Sequence, residues 1–191
     1  MENRPKCWVV GLGRTGTSSM CEAMRILGYR NVAHNPRFER LKDLDAGADN
    51  GVVIFYKYLD YKFPNSKFVL TLRDLPSWLS SMEYITSQAP IRMMRRKKFD
   101  VDVRIMRQML IYETVGFDAE KFTMAYHRHY DDVKRYFRNR PNDLLEMNIF
   151  AGDGWEGLCD HLNLPVPSVP FPHLHGRPGK ESECVRVDES E

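Results

Sequence analysis

Residues 7–19, Cys-Trp-Val-Val-Gly-Leu-Gly-Arg-Thr-Gly-Thr-Ser-Ser, set an apolar run before a glycine-punctuated turn that closes in small hydroxyl residues. A strand, a tight turn and a helix start in that order aim backbone N–H groups at an anion. The helix dipole adds about half a positive charge at the same place. The chemistry on offer is the binding of phosphate or sulfate. Two motifs share the string. Gly11-Leu12-Gly13-Arg14-Thr15-Gly16 spells the GxGxxG dinucleotide fingerprint, while Gly11 to Gly16 followed by Thr17-Ser18 spells a P-loop with threonine in place of lysine.

A dinucleotide site calls for an acidic residue about 20 positions on, to hold a ribose hydroxyl. The stretch there is Val32-Ala33-His34-Asn35-Pro36, and the next carboxylate is Glu39. Ser18 and Ser19, in the first helical turn, suit a phosphate-type anion better than close helix–strand packing. A P-loop that uses ATP or GTP places its lysine on the β- and γ-phosphates and recruits an aspartate for Mg²⁺. Here the basic residue is Arg14, earlier in the turn.

A second segment decides between the motifs. Phe68-Val69-Leu70-Thr71-Leu72 reads as a buried parallel strand. Arg73 follows at its carboxyl end, where open α/β sheets bind ligands. Ser81 lies about two helical turns later and can share an anion with Arg73 only if its helix runs back past the strand end. An Arg-x7-Ser pattern after one strand, paired with the Arg-Thr-Gly-Thr-Ser turn after the first, resembles the cytosolic sulfotransferase family. The phrases GLGRTGTSSMCEAMRILGY, FPNSKFVLTLRDLPSWLSSM, RPNDLLEMNI and GDGWEGLCDHLNLPVPSVPFPH extend that resemblance to the compact sulfotransferase-like proteins.

The resemblance implies a sulfuryl transfer from 3′-phosphoadenosine 5′-phosphosulfate (PAPS) to a hydroxyl or amine of a small-molecule acceptor, with no metal. Gly11, Gly13, Arg14, Thr15, Gly16, Thr17 and Ser18 would hold the 5′-phosphosulfate, and Arg73 with Ser81 the 3′-phosphate. Arg14 would also meet charge developing on the leaving phosphate. The Lys-x-His segment that carries the catalytic histidine of the larger animal enzymes has no counterpart, nor does their Arg-Lys-Gly loop, of which Arg177-Pro178-Gly179-Lys180 is a loose echo. Two residues are placed to act as general base. Asp49 matches an aspartate near the donor sulfate in the resembling proteins, with Asn50-Gly51 where a proline usually follows. His34 stands at the carboxyl end of the second strand. Asp49 is narrowly preferred. The competing readings are a small-molecule or nucleotide kinase, with Asp74 as a Mg²⁺ ligand, and a non-catalytic protein that binds PAPS or its product PAP.

The elements that must position these residues alternate. Strand 7–12, helix 17–27, strand 31–34, helices 37–45 and 52–63, strand 67–72, helix 75–87, a helical region over 100–138, strand 143–149 and helix 154–162 predict an α/β P-loop-type three-layer sandwich, with a central parallel sheet and helices on both faces. Residues 1–175 read as one domain and the polar residues 176–191 as a disordered tail. Asp153-Gly154-Trp155-Glu156 has capping-box spacing, which makes Asp153 a helix cap and Trp155 a core residue.

The formal net charge of +2 in 191 residues gives no footprint for nucleic acid. The four cysteines (Cys7, Cys21, Cys159, Cys184) show neither metal-ligand nor paired spacing, which reads as reduced, buried thiols. The first strand begins within six residues, and no apolar run could span a bilayer. A cytoplasmic protein without membrane contact is expected. Arg92, Arg95, Arg96, Lys97 and Lys98 read as a solvated loop or a lid over the phosphates, and Tyr126, His127, His129 and Tyr130 as helix-surface and core residues.

Overall fold

In the computed structural model, which describes residues 4–88 and 98–174, five parallel strands pair in the order β2-β3-β1-β4-β5. They are β1 (Cys7–Val9), β2 (Val32–His34), β3 (Ala46–Ala48), β4 (Lys67–Thr71) and β5 (Leu144–Met147). Alternation along the strands divides the core. Trp8, Val10, Phe68 and Leu70 point to one face, and Cys7, Val9 and Val69 to the other. The first face is covered by α2 (Asn50–Val53), α3 (Tyr56–Lys62), α4 (Leu75–Ser87), α5 (Lys98–Tyr112) and α6 (Ala119–Phe137). The second is covered by α1 (Thr17–Ile26) and α7 (Trp155–Leu162), through Met20, Met24, Leu158 and Cys159. This is the expected three-layer α/β arrangement. Cys7, Cys21 and Cys159 are free and buried, and burial pushes all three thiols up.

Several boundaries differ from the sequence expectation. The stretch expected as helix 37–45 is a 3-10 turn over Phe38–Asp43, followed by β3, an element missed altogether. Its Ala-Gly-Ala carries none of the β-branched or aromatic residues that mark a strand. The small residues are dictated from outside, because a Cβ on Gly47 would already sit 3.2 Å from Val52 and 3.4 Å from the Trp8 ring. The helix expected over 52–63 breaks at Ile54-Phe55 into α2 and α3. The region 100–138 is two helices, turned at 113–118.

Asp153 does not cap α7. Gly154 occupies that position without a side-chain bond, while Asp153 Oδ2 accepts the Asn148 N–H at 2.7 Å and closes the turn after β5. Trp155 is core, as expected, with its indole N–H on Val169 O at 2.7 Å. Of the basic cluster Arg92–Lys98, all but Lys98 at the start of α5 lie outside the described residues, as does the expected tail. No helix among those described is long and apolar enough to cross a membrane.

Gly11 ties the fold to the site, for there the chain crosses the end of β4. A Cβ on Gly11 would overlap Thr71 Oγ1 and approach the Thr71 carbonyl to 2.6 Å and Thr15 Oγ1 to 2.8 Å. Gly11→Ala is expected to destabilise by roughly 1–3 kcal/mol, as overpacking does. Gly157→Ala, in α7 with nothing within 4 Å of the added methyl, should be neutral or stabilising by up to ~1 kcal/mol. Urea denaturation midpoints of the two variants check the contrast.

Candidate active site

Trp8 and Phe68 anchor β1 and β4 side by side, so the segments leaving their carboxyl ends, Val10–Gly16 and Leu72–Asp74, meet above the sheet. The turn after β1 is shaped by two left-handed residues, Arg14 at φ 73° and Gly16 at φ 94°. Gly16 also starts α1, whose N-terminus has no side-chain cap, so its first-turn N–H groups have no intrahelical acceptor.

The polarity of this turn is set from below by side-chain donors. Trp78 Nε1 donates to Gly13 O at 2.9 Å and Thr15 Oγ1 to Leu12 O at 2.6 Å. A peptide's C=O and N–H point in opposite directions. Anchoring the Leu12 and Gly13 carbonyls to interior donors therefore turns the N–H groups of Gly13 and Arg14 outward. Helix α6 does the same for the strand ends. His129 Nε2 donates to Val10 O at 2.7 Å, Tyr130 Oη to Thr71 O at 2.9 Å and Tyr126 Oη to Arg73 O at 2.6 Å. Burial holds the His129 pKa down, which suits a neutral ring that donates from Nε2. The sequence expectation for these residues is ordinary helix surface and core. Their spacing at i, i+3 and i+4 on one helix face was the signal that they act together.

The expected anion ligands come together, with different pairings. Arg73 Nε and Nη2 both contact Ser77 Oγ, at 2.9 and 2.7 Å, and Nη1 reaches Arg14 O at 3.0 Å. Ser81 bonds Arg14 rather than Arg73, accepting from Arg14 Nε at 3.0 Å. The two guanidinium groups thus share one rim, and Ser77 joins the set. Arg73 also lies over the Phe150 ring, 4.4 Å from its centroid. Two hydroxyls turn away from it. Thr15 Oγ1 is buried against Thr71 Oγ1 at 2.6 Å, and Ser19 Oγ accepts the Leu174 N–H at 2.8 Å. Thr17, itself buried, and the partly exposed Ser18 turn their hydroxyls toward His34.

Asp49 and His34, the rival candidate bases, form one pair. His34 Nε2 lies 3.0 Å from Asp49 Oδ2, which also accepts from Thr17 Oγ1 at 3.1 Å. Asp49 Oδ1 accepts the Asn50 N–H at 2.6 Å and so caps α2. Burial works to raise the Asp49 carboxyl, but the bonds from His34, Asn50 and Thr17 overcome it and hold it at about 2. For His34 burial works downward, and the bond and charge of Asp49 win against it and against Arg14 and Arg25, so its pKa is raised. The pair stands beside the glycine turn: a Cβ on Gly13 would lie 3.6 Å from both Asp49 carboxylate oxygens. Asn50 Oδ1, buried and without a partner among the described residues, would be 3.7 Å from that Cβ. Asp74 Oδ1 accepts the Ser77 N–H at 2.9 Å and caps α4.

The profile of the sulfotransferase domain matches residues 6–40 and 36–178. The chain belongs to the sulfotransferase domain family. It is similar to Ava biosynthesis cluster protein M of Aspergillus versicolor, with 30% identity over 216 aligned positions that cover 88% of this chain and 80% of that protein.

Within this sulfotransferase domain Asp49 has an unusual backbone for a residue with a side chain. Its φ of 74° and ψ of −170° fall in a region populated essentially by glycine. Such a conformation costs on the order of 1–3 kcal/mol and persists because β3, α2 and the carboxylate bonds overdetermine it. Two outcomes follow. Asp49→Gly should be more stable than Asp49→Ala by ~1 kcal/mol, reversing the usual penalty for glycine, as read by urea denaturation. The His34–Asp49 pair should add a pH-dependent increment. His34 is raised, so its contribution is complete below the ordinary histidine pKa near 6.5 and fades as pH climbs through the folded value. As pH climbs above about 6.5 the wild type should therefore lose stability relative to His34→Asn, and equal slopes would show that the pair contributes nothing.

Proposed function

We propose that this chain transfers a sulfuryl group from PAPS to a hydroxyl or amine of a small-molecule acceptor. The observation that carries this reading is the joining of two anion-binding segments with a proton-accepting pair at one sheet end. Arg14 and Arg73 share a rim over outward-facing N–H groups, and His34–Asp49 stands beside it at the ends of β2 and β3. The donor's two anionic ends match two cationic positions on neighbouring strands.

When bound, PAPS supplies the SO₃ group; its S–O bond to the phosphate breaks as sulfur bonds the acceptor atom, whose proton leaves to a base. Gly13, Arg14 and the first turn of α1 supply N–H donors for the phosphosulfate, joined by the Thr17 and Ser18 hydroxyls. Arg14 offsets charge that grows on the leaving phosphate, in a site whose donors are already oriented. Arg73, with Ser77 and Ser81, receives the 3′-phosphate.

His34 is the proton acceptor in this proposal, and Asp49 its orienting partner. A carboxylate held at about 2 with its oxygens already bonded is a weak base at neutral pH. An imidazole that keeps Nε2–H on Asp49 has Nδ1 as its proton-accepting atom, and its raised pKa strengthens it as a base.

Thermal shift and steady-state kinetics test the reading. PAP should raise the melting temperature by several degrees, since a ligand at 100-fold over Kd adds about 2.7 kcal/mol, and NAD should leave it unchanged. Arg73→Ala should weaken PAP binding by roughly 1.5–3 kcal/mol, whereas Arg14→Ala should lower kcat more than affinity. His34→Asn should abolish most turnover with PAP binding intact, and kcat should rise with pH through the His34 pKa. Activity should survive EDTA. A larger shift with NAD, or a strict Mg²⁺ requirement, would overturn the assignment, and PAP binding without any transfer would make the chain a binding protein.

A further inference from the structure

Arg107, on α5, is buried at 7% exposure and close enough to Asp49 to feel its charge. Its bonds go to the chain just past His34. Nη1 donates to Asn35 Oδ1 at 2.6 Å and Asn35 O at 3.2 Å, and Nη2 to Pro36 O at 2.7 Å. Asp49 and Glu39 favour its charge, while burial and Arg37 oppose it.

Asn35 is the node where these contacts become positional. It directly follows His34 and is left-handed, at φ 53°. Its N–H donates to Ala48 O at 2.8 Å, fixing the end of β2 to the end of β3. Its side-chain oxygen, besides meeting Arg107, accepts the Gly51 N–H at 3.1 Å and so holds the start of α2. Gly51 is pressed on the same segment, since a Cβ there would overlap Pro36 O and stand 2.9 Å from Pro36 N. His34 is thus one residue before the node, and Asp49 lies between two residues bonded to it.

We infer that Arg107 is a positioning residue: by clamping Asn35-Pro36 onto Gly51 it sets the placement of His34 against Asp49, so that α5 governs proton removal without touching either side chain. The inference rests on the sulfuryl-transfer reading of the site and adds a residue that neither anion motif contains.

Arg107→Met and Asn35→Gly cut the same link from its two ends. The glycine keeps the left-handed backbone available and deletes only the side chain. His34 is faced by Asp49, by Arg14 from the glycine turn, by Arg25 from α1 and by the Thr17 and Ser18 hydroxyls. Its ring-proton titration by NMR, assigned with His34→Asn, reads the pair directly. In both variants the His34 midpoint should fall toward the ordinary value near 6.5. Loss of the Arg107 charge alone would move it upward, so a fall reports separation from Asp49. The kcat should fall about tenfold or more, as for misplaced reacting groups, with KM for PAPS and the PAP thermal shift preserved. Arg107→Lys should recover part of the loss, and the double variant should be no worse than the poorer single one.

An unchanged His34 titration with kcat within about twofold would overturn the inference and leave Arg107 as core filling. If Arg107→Met does not fold, Asn35→Gly and Arg107→Lys decide. If the wild type transfers no sulfuryl group, the functional reading falls, while the titration shift still judges the hold of Arg107 on the pair.

Discussion

An anion cradle made of backbone works only if its carbonyls are kept out of it, because each outward C=O would repel the charge that the N–H groups attract. In the proposed site that constraint reaches deep into the fold. Trp78 from α4 holds Gly13 O, and His129, Tyr130 and Tyr126 from α6 hold the carbonyls that end β1 and β4. Arg73 takes Arg14 O from the side. The same residues are core. Trp78 packs against Tyr112, Phe122 and Tyr126, and Tyr112 stacks on Phe122 with ring centroids 4.4 Å apart. The aromatic layer on one sheet face therefore supplies burial and orients the turn in a single arrangement.

Charge is distributed with the same economy. Two arginines share the rim, yet each is braced by a serine hydroxyl from α4, which limits their freedom before any ligand arrives. On the other flank Asp49 combines strained backbone, burial and three hydrogen-bond donors. Such a carboxylate is a poor proton acceptor and a strong orienting group, and its retained negative charge favours protonation of His34, the half-exposed member of the pair. The environment widens a difference already present in water, where a carboxyl at about 3.9 is a weaker base than an imidazole at about 6.5.

Sheet class and the two strand-turn segments that carry Arg14 and Arg73 were legible from local pattern. Gly11 to Ser18 and Phe68 to Arg73 each carry their meaning within a dozen residues, so strand, turn and helix start could be read without knowing what packs beneath them. Strand β3 was invisible, because Ala-Gly-Ala carries no strand signal and Gly47 is kept small by Val52, Leu44 and the Trp8 ring, the last of which arrives from the first strand. Asp153 was misread for a related reason: capping spacing was present, but the turn after β5 competed for the same carboxylate.

The sequence by itself determined which atoms could meet an anion, since a glycine turn at a helix start and an arginine at a strand end act through backbone geometry that neighbouring residues dictate. Tertiary structure alone decided how those groups are shared. Ser81 goes to Arg14 because α4 runs back past the end of β4, and Ser19 turns inward because the segment reaching Leu174 crosses α1. Asp49 and His34, read as rivals 15 positions apart, become partners because β2 pairs in register with β3, setting His34 against Ala48. Arg107 lies more than 50 residues from either and enters the site only through the packing of α5. Strand pairing and helix packing are long-range events, and no local pattern encodes which residue they bring within 3 Å of another.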